Sequence, residues 1–141
     1  MIRIAYTSPF VPPEWISAHG LRPAWLPAHC DGARSAEALR EGVCPFAGAV
    51  LGGLPNGLEA AALVLTTTCD QMRRAADIVG RDAPPVFLFN VPATWQTAVS
   101  RQLYCDELER LGRFLVRAGG VSPMSSGLNN FGLISSRTCR T

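Results

Sequence analysis

The period of apolar and polar positions changes from segment to segment along the chain, and the changes mark out strands alternating with helices. Residues 3–8 form a short β-like run that Pro9, Pro12 and Pro13 break. Residues 14–20 follow as a short helix, with Pro13 near its first turn and Gly20 as its stop. Residues 21–26 are a second short apolar stretch, and residues 35–41 are a helical turn or two closed by Gly42. Pro45 stands where the next helix begins, which puts Cys44 at its N-cap and leaves Gly52-Gly53 and Pro55-Asn56-Gly57 as stop and turn. Residues 61–67 are a continuous apolar and β-branched run, the mark of a strand buried on both faces. This run leads directly into Thr68-Cys69-Asp70-Gln71, where Thr68 and Gln71 have capping-box spacing and Cys69 lies in the first turn of a helix running to Gly80.

Residues 86–91 are a further strand between Pro84-Pro85 and Pro92. From residue 97 to 117 the apolar positions Val99, Leu103, Leu108, Leu111 and Leu115 recur mostly four apart, giving one long amphipathic helix ended by Gly119-Gly120. Strands and helices alternating at this spacing predict an α/β architecture, a mainly parallel sheet flanked by helices. The pattern divides the chain into a folded domain over residues 1–120 and an irregular, Ser/Gly/Asn-rich tail over residues 121–141.

Composition narrows the partners. The 141 residues are 48% apolar and 17% charged, enough to build a core within one domain. All 13 basic residues are arginines, scattered among 11 acids for a net charge of +2, so a nucleic-acid partner is not expected. No apolar run reaches the ~20 residues that span a bilayer, and residues 1–6 read as a strand without a signal-peptide pattern. The expected location is the cytoplasm, away from membranes.

Five cysteines, Cys30, Cys44, Cys69, Cys105 and Cys139, are an odd number without an export signal, which argues against a disulfide scaffold. Cys44 and Cys69 both fall at predicted helix starts, where free N–H groups and the helix dipole favour a thiolate. Cys69 also follows a buried strand, at the sheet edge where α/β proteins bind ligands, and Cys44 could face it from a neighbouring unit. Converging thiolates suit Zn²⁺ or an iron–sulfur cluster. Their separation of 24 intervening residues matches no compact zinc or ferredoxin run, and either cysteine could equally be a small buried hydrophobe.

Four segments carry a resemblance: Pro13-Glu14-Trp15-Ile16-Ser17-Ala18-His19-Gly20-Leu21-Arg22-Pro23, Cys44-Pro45-Phe46 with Leu51-Gly52-Gly53-Leu54, Thr67-Thr68-Cys69-Asp70-Gln71-Met72-Arg73-Arg74, and Asn90-Val91-Pro92. In this order they resemble the 2-hydroxyacyl-CoA dehydratase family, which includes the 2-hydroxyglutaryl-CoA dehydratase D-component and benzoyl-CoA reductase subunits. The resemblance implies a Rossmann-like domain, incomplete relative to the family, in a subunit that holds a [4Fe–4S] cluster between such domains. It assigns Cys44 and Cys69 as two cluster ligands, and the family's third cysteine comes from a domain far downstream. The fourth iron site is left open to water or substrate. Cys139, in the aperiodic tail, is a poor substitute for the third ligand, and the chain is expected to be an N-terminal fragment, inactive alone.

The family's reaction is radical dehydration of a 2-hydroxyacyl-CoA to an enoyl-CoA, a lyase activity of anaerobic metabolism. It uses an acyl-CoA substrate, a second dehydratase subunit and an ATP-dependent activator that supplies the electron. The rival reading is a non-catalytic remnant or binding domain with buried structural cysteines.

Glu14, in a Pro-x-Glu segment, is a candidate for orienting substrate, although a first-turn acid also simply favours the helix dipole. Cys30 beside His29 reads as a loop thiol, Cys105 as a surface or subunit-contact residue and His19 as a polar helix end. Arg73 and Arg74 fit an exposed helix face, while Trp15, Trp25 and Trp95 are expected in the core or at interfaces.

Overall fold

The computed structural model describes residues 1–26, 44–53, 59–79 and 84–123. The helix expected at 35–41, the turn at 55–57, the stop at Gly80, Cys30 with His29, and the tail from residue 124 with Cys139 lie outside the described residues. The elements run in the order β1 (Arg3–Tyr6), α1 (Pro13–Ala18), β2 (Arg22–Trp25), α2 (Pro45–Gly53), β3 (Ala62–Thr66), α3 (Asp70–Ile78), β4 (Val86–Phe89) and α4 (Ala98–Arg117). The four strands form one sheet in the order β2-β1-β3-β4, and every pairing is parallel. This is the α/β architecture that the alternation of periods predicts.

Side-chain alternation along the strands splits the core into two layers. Ile4, Ala62, Val64, Phe87 and Phe89 face one side and pack with Ile16 of α1 and Leu108, Leu111 and Leu115 of α4. Ala5, Leu63 and Leu65 face the other side and pack with Ala47, Val50 and Leu51 of α2 and Met72 and Ala75 of α3. All five residues of β3 are buried, as a central parallel strand covered on both faces requires. From β1 the chain steps outward to β2 with α1 on one face, then crosses back to β3 and β4 with α2 and α3 on the other. Crossovers of one hand running in opposite directions place their helices on opposite faces. The reversal point lies between β1 and β3.

The α1–α4 face is closed by specific bonds. Trp15 Nε1 donates to the Leu108 carbonyl at 2.9 Å, and the Val121 N–H donates to the His19 carbonyl at 2.9 Å. Gly119 ends α4 at φ +100°, a conformation that L side chains rarely adopt. His19 is the polar C-cap of α1, as expected, and it is buried: it is 2% exposed, and its Nδ1 pairs with the Trp15 carbonyl at 2.7 Å. The chain turns at Gly20 and brings α4 down over the imidazole, which lies against Gly112.

Of the three tryptophans, Trp15 packs against the core as expected. Trp15 is half-buried, whereas Trp25 is 51% and Trp95 42% exposed. Trp25 lies on β2, where Tyr6 meets its ring edge to face at 5.2 Å. Among the described residues, no helix is long and apolar enough to cross a membrane.

Candidate functional site

The carboxyl ends of β1 and β3 are adjacent strand ends at which the sheet's winding reverses. Such switch points open a crevice because the chain departs from them to opposite faces. A cleft of about 220 Å³ lies there. Its lining comes from the end of β1 (Thr7, Ser8, Pro9, Phe10), the end of β3 (Thr66, Thr68) and the first turns of α2 and α3 (Phe46, Met72).

Hydroxyls crowd this edge, and most are engaged. Thr66 Oγ1 and Thr68 Oγ1 share a hydrogen bond of 3.0 Å, while Ser8 Oγ accepts from the Phe10 N–H at 3.4 Å. Thr67 Oγ1 accepts from the Val91 N–H at 3.1 Å, tying the end of β4 to that of β3. Thr7 differs: it is 4% exposed, and its Oγ1 has no hydrogen-bond partner among the described residues. A buried hydroxyl without a partner is rare enough to need a reason. The sequence pattern assigned Thr68 to a cap and gave Thr7 and Ser8 no role, although both hydroxyl clusters, Thr7-Ser8 and Thr66-Thr67-Thr68, stand at the ends of apolar strand runs.

Cys44 and Cys69 stand at the starts of the two helices that contribute to the cleft, and both are free thiols. Cys44 is half-buried immediately before α2, and the Ala47 N–H donates to its sulfur at 3.4 Å. Cys69 is exposed and is the N-cap of α3 itself, in extended conformation at φ −148° and ψ 157°. Its carbonyl accepts from the Met72 N–H at 3.1 Å. The capping box expected from Thr68 and Gln71 does not form: the cap makes no side-chain bond, and Gln71 Oε1 accepts from the Cys44 N–H at 3.3 Å. Gln71 thus fastens the start of α2 to the start of α3.

Glu14 is exposed in the first turn of α1. Burial first, and the Glu14 carboxylate second, push the phenols of Tyr6 and Tyr104 above their ordinary value. Tyr104 donates to the Phe10 carbonyl at 2.9 Å, and Trp95 stacks on Phe10 at 5.9 Å, so aromatic rings surround the outer lip of the cleft. On the other flank, Glu107 Oε1 accepts from the Asn90 N–H at 3.1 Å and from Arg110, holding the Asn90-Val91-Pro92 segment against α4. Cys105 is half-buried and disulfide-bonded. Arg73 lies on an exposed face, 3.8 Å from Asp70.

The donor set suits an iron–sulfur cluster as a partial cradle. Thiolates are the ordinary ligands of such clusters, and N–H contacts to sulfur of the Ala47–Cys44 kind tune them. Two thiols would supply two of the four ligands that such a cluster takes. No group of three or more Cys, His, Asp or Glu able to hold a metal occurs among the described residues. A search of curated proteins gives no match. A family model, 2-hydroxyglutaryl-CoA dehydratase, D-component, matches residues 9–131, which takes in all four of the segments quoted above and most of the folded chain. On that match over nearly the whole length, the chain belongs to the 2-hydroxyglutaryl-CoA dehydratase D-component family.

Proposed function

We propose that this chain contributes Cys44 and Cys69 as two ligands of a [4Fe–4S] cluster in a 2-hydroxyacyl-CoA dehydratase subunit. The observation that supports it most is the placement of two free thiols at the first turns of α2 and α3, beside the switch-point cleft and linked through Gln71. When bound, a cluster with an open iron site would supply Lewis acidity and single electrons for expelling a 2-hydroxyl from an acyl thioester. The chain's own part is to orient. Gln71 fixes the start of α2, the Ala47 N–H bonds the Cys44 sulfur, and the N-cap position holds Cys69 at the sheet edge. The remaining protein ligand, a second dehydratase subunit and an ATP-hydrolysing activator complete the reading, with reaction from 2-hydroxyacyl-CoA to enoyl-CoA.

The test is anaerobic reconstitution with iron and sulfide, with and without a downstream family domain added in trans. The expected result is charge-transfer absorbance near the visible range with stoichiometric iron and sulfide, greatest with both parts present. Cys44→Ala or Cys69→Ala abolishes it. Equal cluster content in both variants and wild type would overturn the assignment, as would stoichiometric zinc without colour.

A further inference from the structure

We propose that the Glu107–Arg110 ion pair of α4 closes the outer edge of β4 by standing in for one residue of a further parallel strand, and that the edge it covers joins a second copy of this chain when the pair is removed. The proposal is independent of the cluster assignment above.

Backbone hydrogen-bonding groups of a strand point to its two edges in turn. In β4 the Pro85 and Phe89 carbonyls accept from the Leu63 and Thr67 N–H groups, and the Val91 N–H donates to Thr67 Oγ1, so the odd-numbered residues face β3. Val86, Leu88 and Asn90 therefore turn their peptide groups to the opposite edge, which no described strand covers. Such a row is a template for pairing with another chain.

Two groups of that row are taken by α4. Arg110 Nη2 donates to the Leu88 carbonyl, and Glu107 Oε1 accepts from the Asn90 N–H at 3.1 Å. In a parallel ladder, one residue of the neighbouring strand donates its N–H to the carbonyl of residue i−1 and accepts at its carbonyl from the N–H of residue i+1. With Phe89 as residue i, the Leu88 carbonyl and the Asn90 N–H are those two groups. The ion pair supplies the same donor and the same acceptor, locked to each other by Arg110 Nε donating to Glu107 Oε1 at 2.9 Å. The guanidinium lies 4.6 Å from the centre of the Phe87 ring, which holds it against the sheet.

Glu107 is 8% exposed, so an incoming strand that displaced Arg110 would leave a desolvated carboxylate without its counter-charge. That penalty is what keeps the edge closed. The occupant an uncovered edge admits is a second copy, because every copy carries the same row and a two-fold axis brings β4 against β4. Val99 and Leu103 lie on the same flank of α4 as Arg110 by helical spacing, and they are 70% and 55% exposed. A second copy arriving at this edge would bury them.

The experiment compares self-association of the full chain by sedimentation equilibrium with NMR-detected hydrogen exchange. The double variant Glu107→Ala, Arg110→Ala is expected to associate about tenfold more tightly than wild type, and exchange at its outward β4 amides, Val86, Leu88 and Asn90, should slow as concentration rises. Leu111→Ala, a core loss on the same helix that leaves the ion pair in place, should associate as wild type does and so controls for destabilisation. Arg110→Ala alone uncovers the Leu88 carbonyl and leaves Asn90 bonded to Glu107; it should give a smaller rise, and it decides the matter if the double variant does not fold. Association unchanged from wild type, an equal rise in Leu111→Ala, or a rise without concentration-dependent protection of the outward β4 amides would overturn the proposal.

Discussion

Thr7 shows how one side chain can work against the fold that carries it. Its backbone continues β1 into the cleft, and its hydroxyl is buried without a bond. Leaving a buried polar group unpaired costs about 1–3 kcal/mol, whereas an apolar group of the same shape carries no such penalty. Thr7→Val is therefore expected to stabilise the chain by roughly 1 kcal/mol or more, seen as a thermal midpoint several degrees above wild type in circular dichroism. Most substitutions at a site this buried destabilise, so the sign is the diagnostic part. A midpoint unchanged or lowered would mean that the hydroxyl is satisfied in the folded chain.

At the scale of elements, the starts of α2 and α3 act as one unit because Gln71 spans them. The capping spacing counted from Thr68 misleads by one residue: the N-cap is Cys69, so Gln71 occupies the second helical position and is free to reach across to the Cys44 N–H. Gln71→Ala leaves that amide unpaired and loosens the first turn of α2. A net loss of about 1 kcal/mol corresponds to roughly fivefold more local opening. Iodoacetamide should then alkylate Cys44 about fivefold faster, while exposed Cys69 reacts at its original rate and serves as the internal control. Equal rates at Cys44 in variant and wild type would show that the bond does not restrain the helix start.

The same elements show what a linear pattern carries. The buried strand β3, the long helix α4 and both cysteine-bearing helix starts were legible, because each is fixed by local periodicity or by a Pro nearby. β2 was legible only as an apolar stretch, since an edge strand exposed like Trp25 has no alternation to display. The burial of His19, the bridge from Gln71 and the unpaired Thr7 hydroxyl were not legible. Each depends on a contact between segments far apart in sequence.

For the whole molecule, one sheet serves two cores. β1 and β3 send alternate residues to opposite faces, so losing either layer exposes the other side of the same strands. This coupling predicts a single cooperative transition, although the helices on the two faces have different neighbours. Leu111, fully buried in the α1–α4 layer, and Met72, 2% exposed in the α2–α3 layer, test it from opposite sides. Leu111→Ala and Met72→Ala should each cost about 2–5 kcal/mol through lost burial and the cavity left behind. With the sheet between them and no shared partners, their costs should add to within about 0.5 kcal/mol in the double variant. Typical domain stability is only about 5–15 kcal/mol, so the double variant approaches the folding limit. Urea unfolding followed by fluorescence of a Trp25→Phe, Trp95→Phe background, which leaves Trp15 on the α1 face as the reporter, and by far-ultraviolet circular dichroism, which reports all helices, should give coincident curves for that background and each single variant made in it. Separate transitions for the two probes in Met72→Ala would mean that the face bearing the cysteines unfolds by itself, and the two layers would then be independent units rather than one.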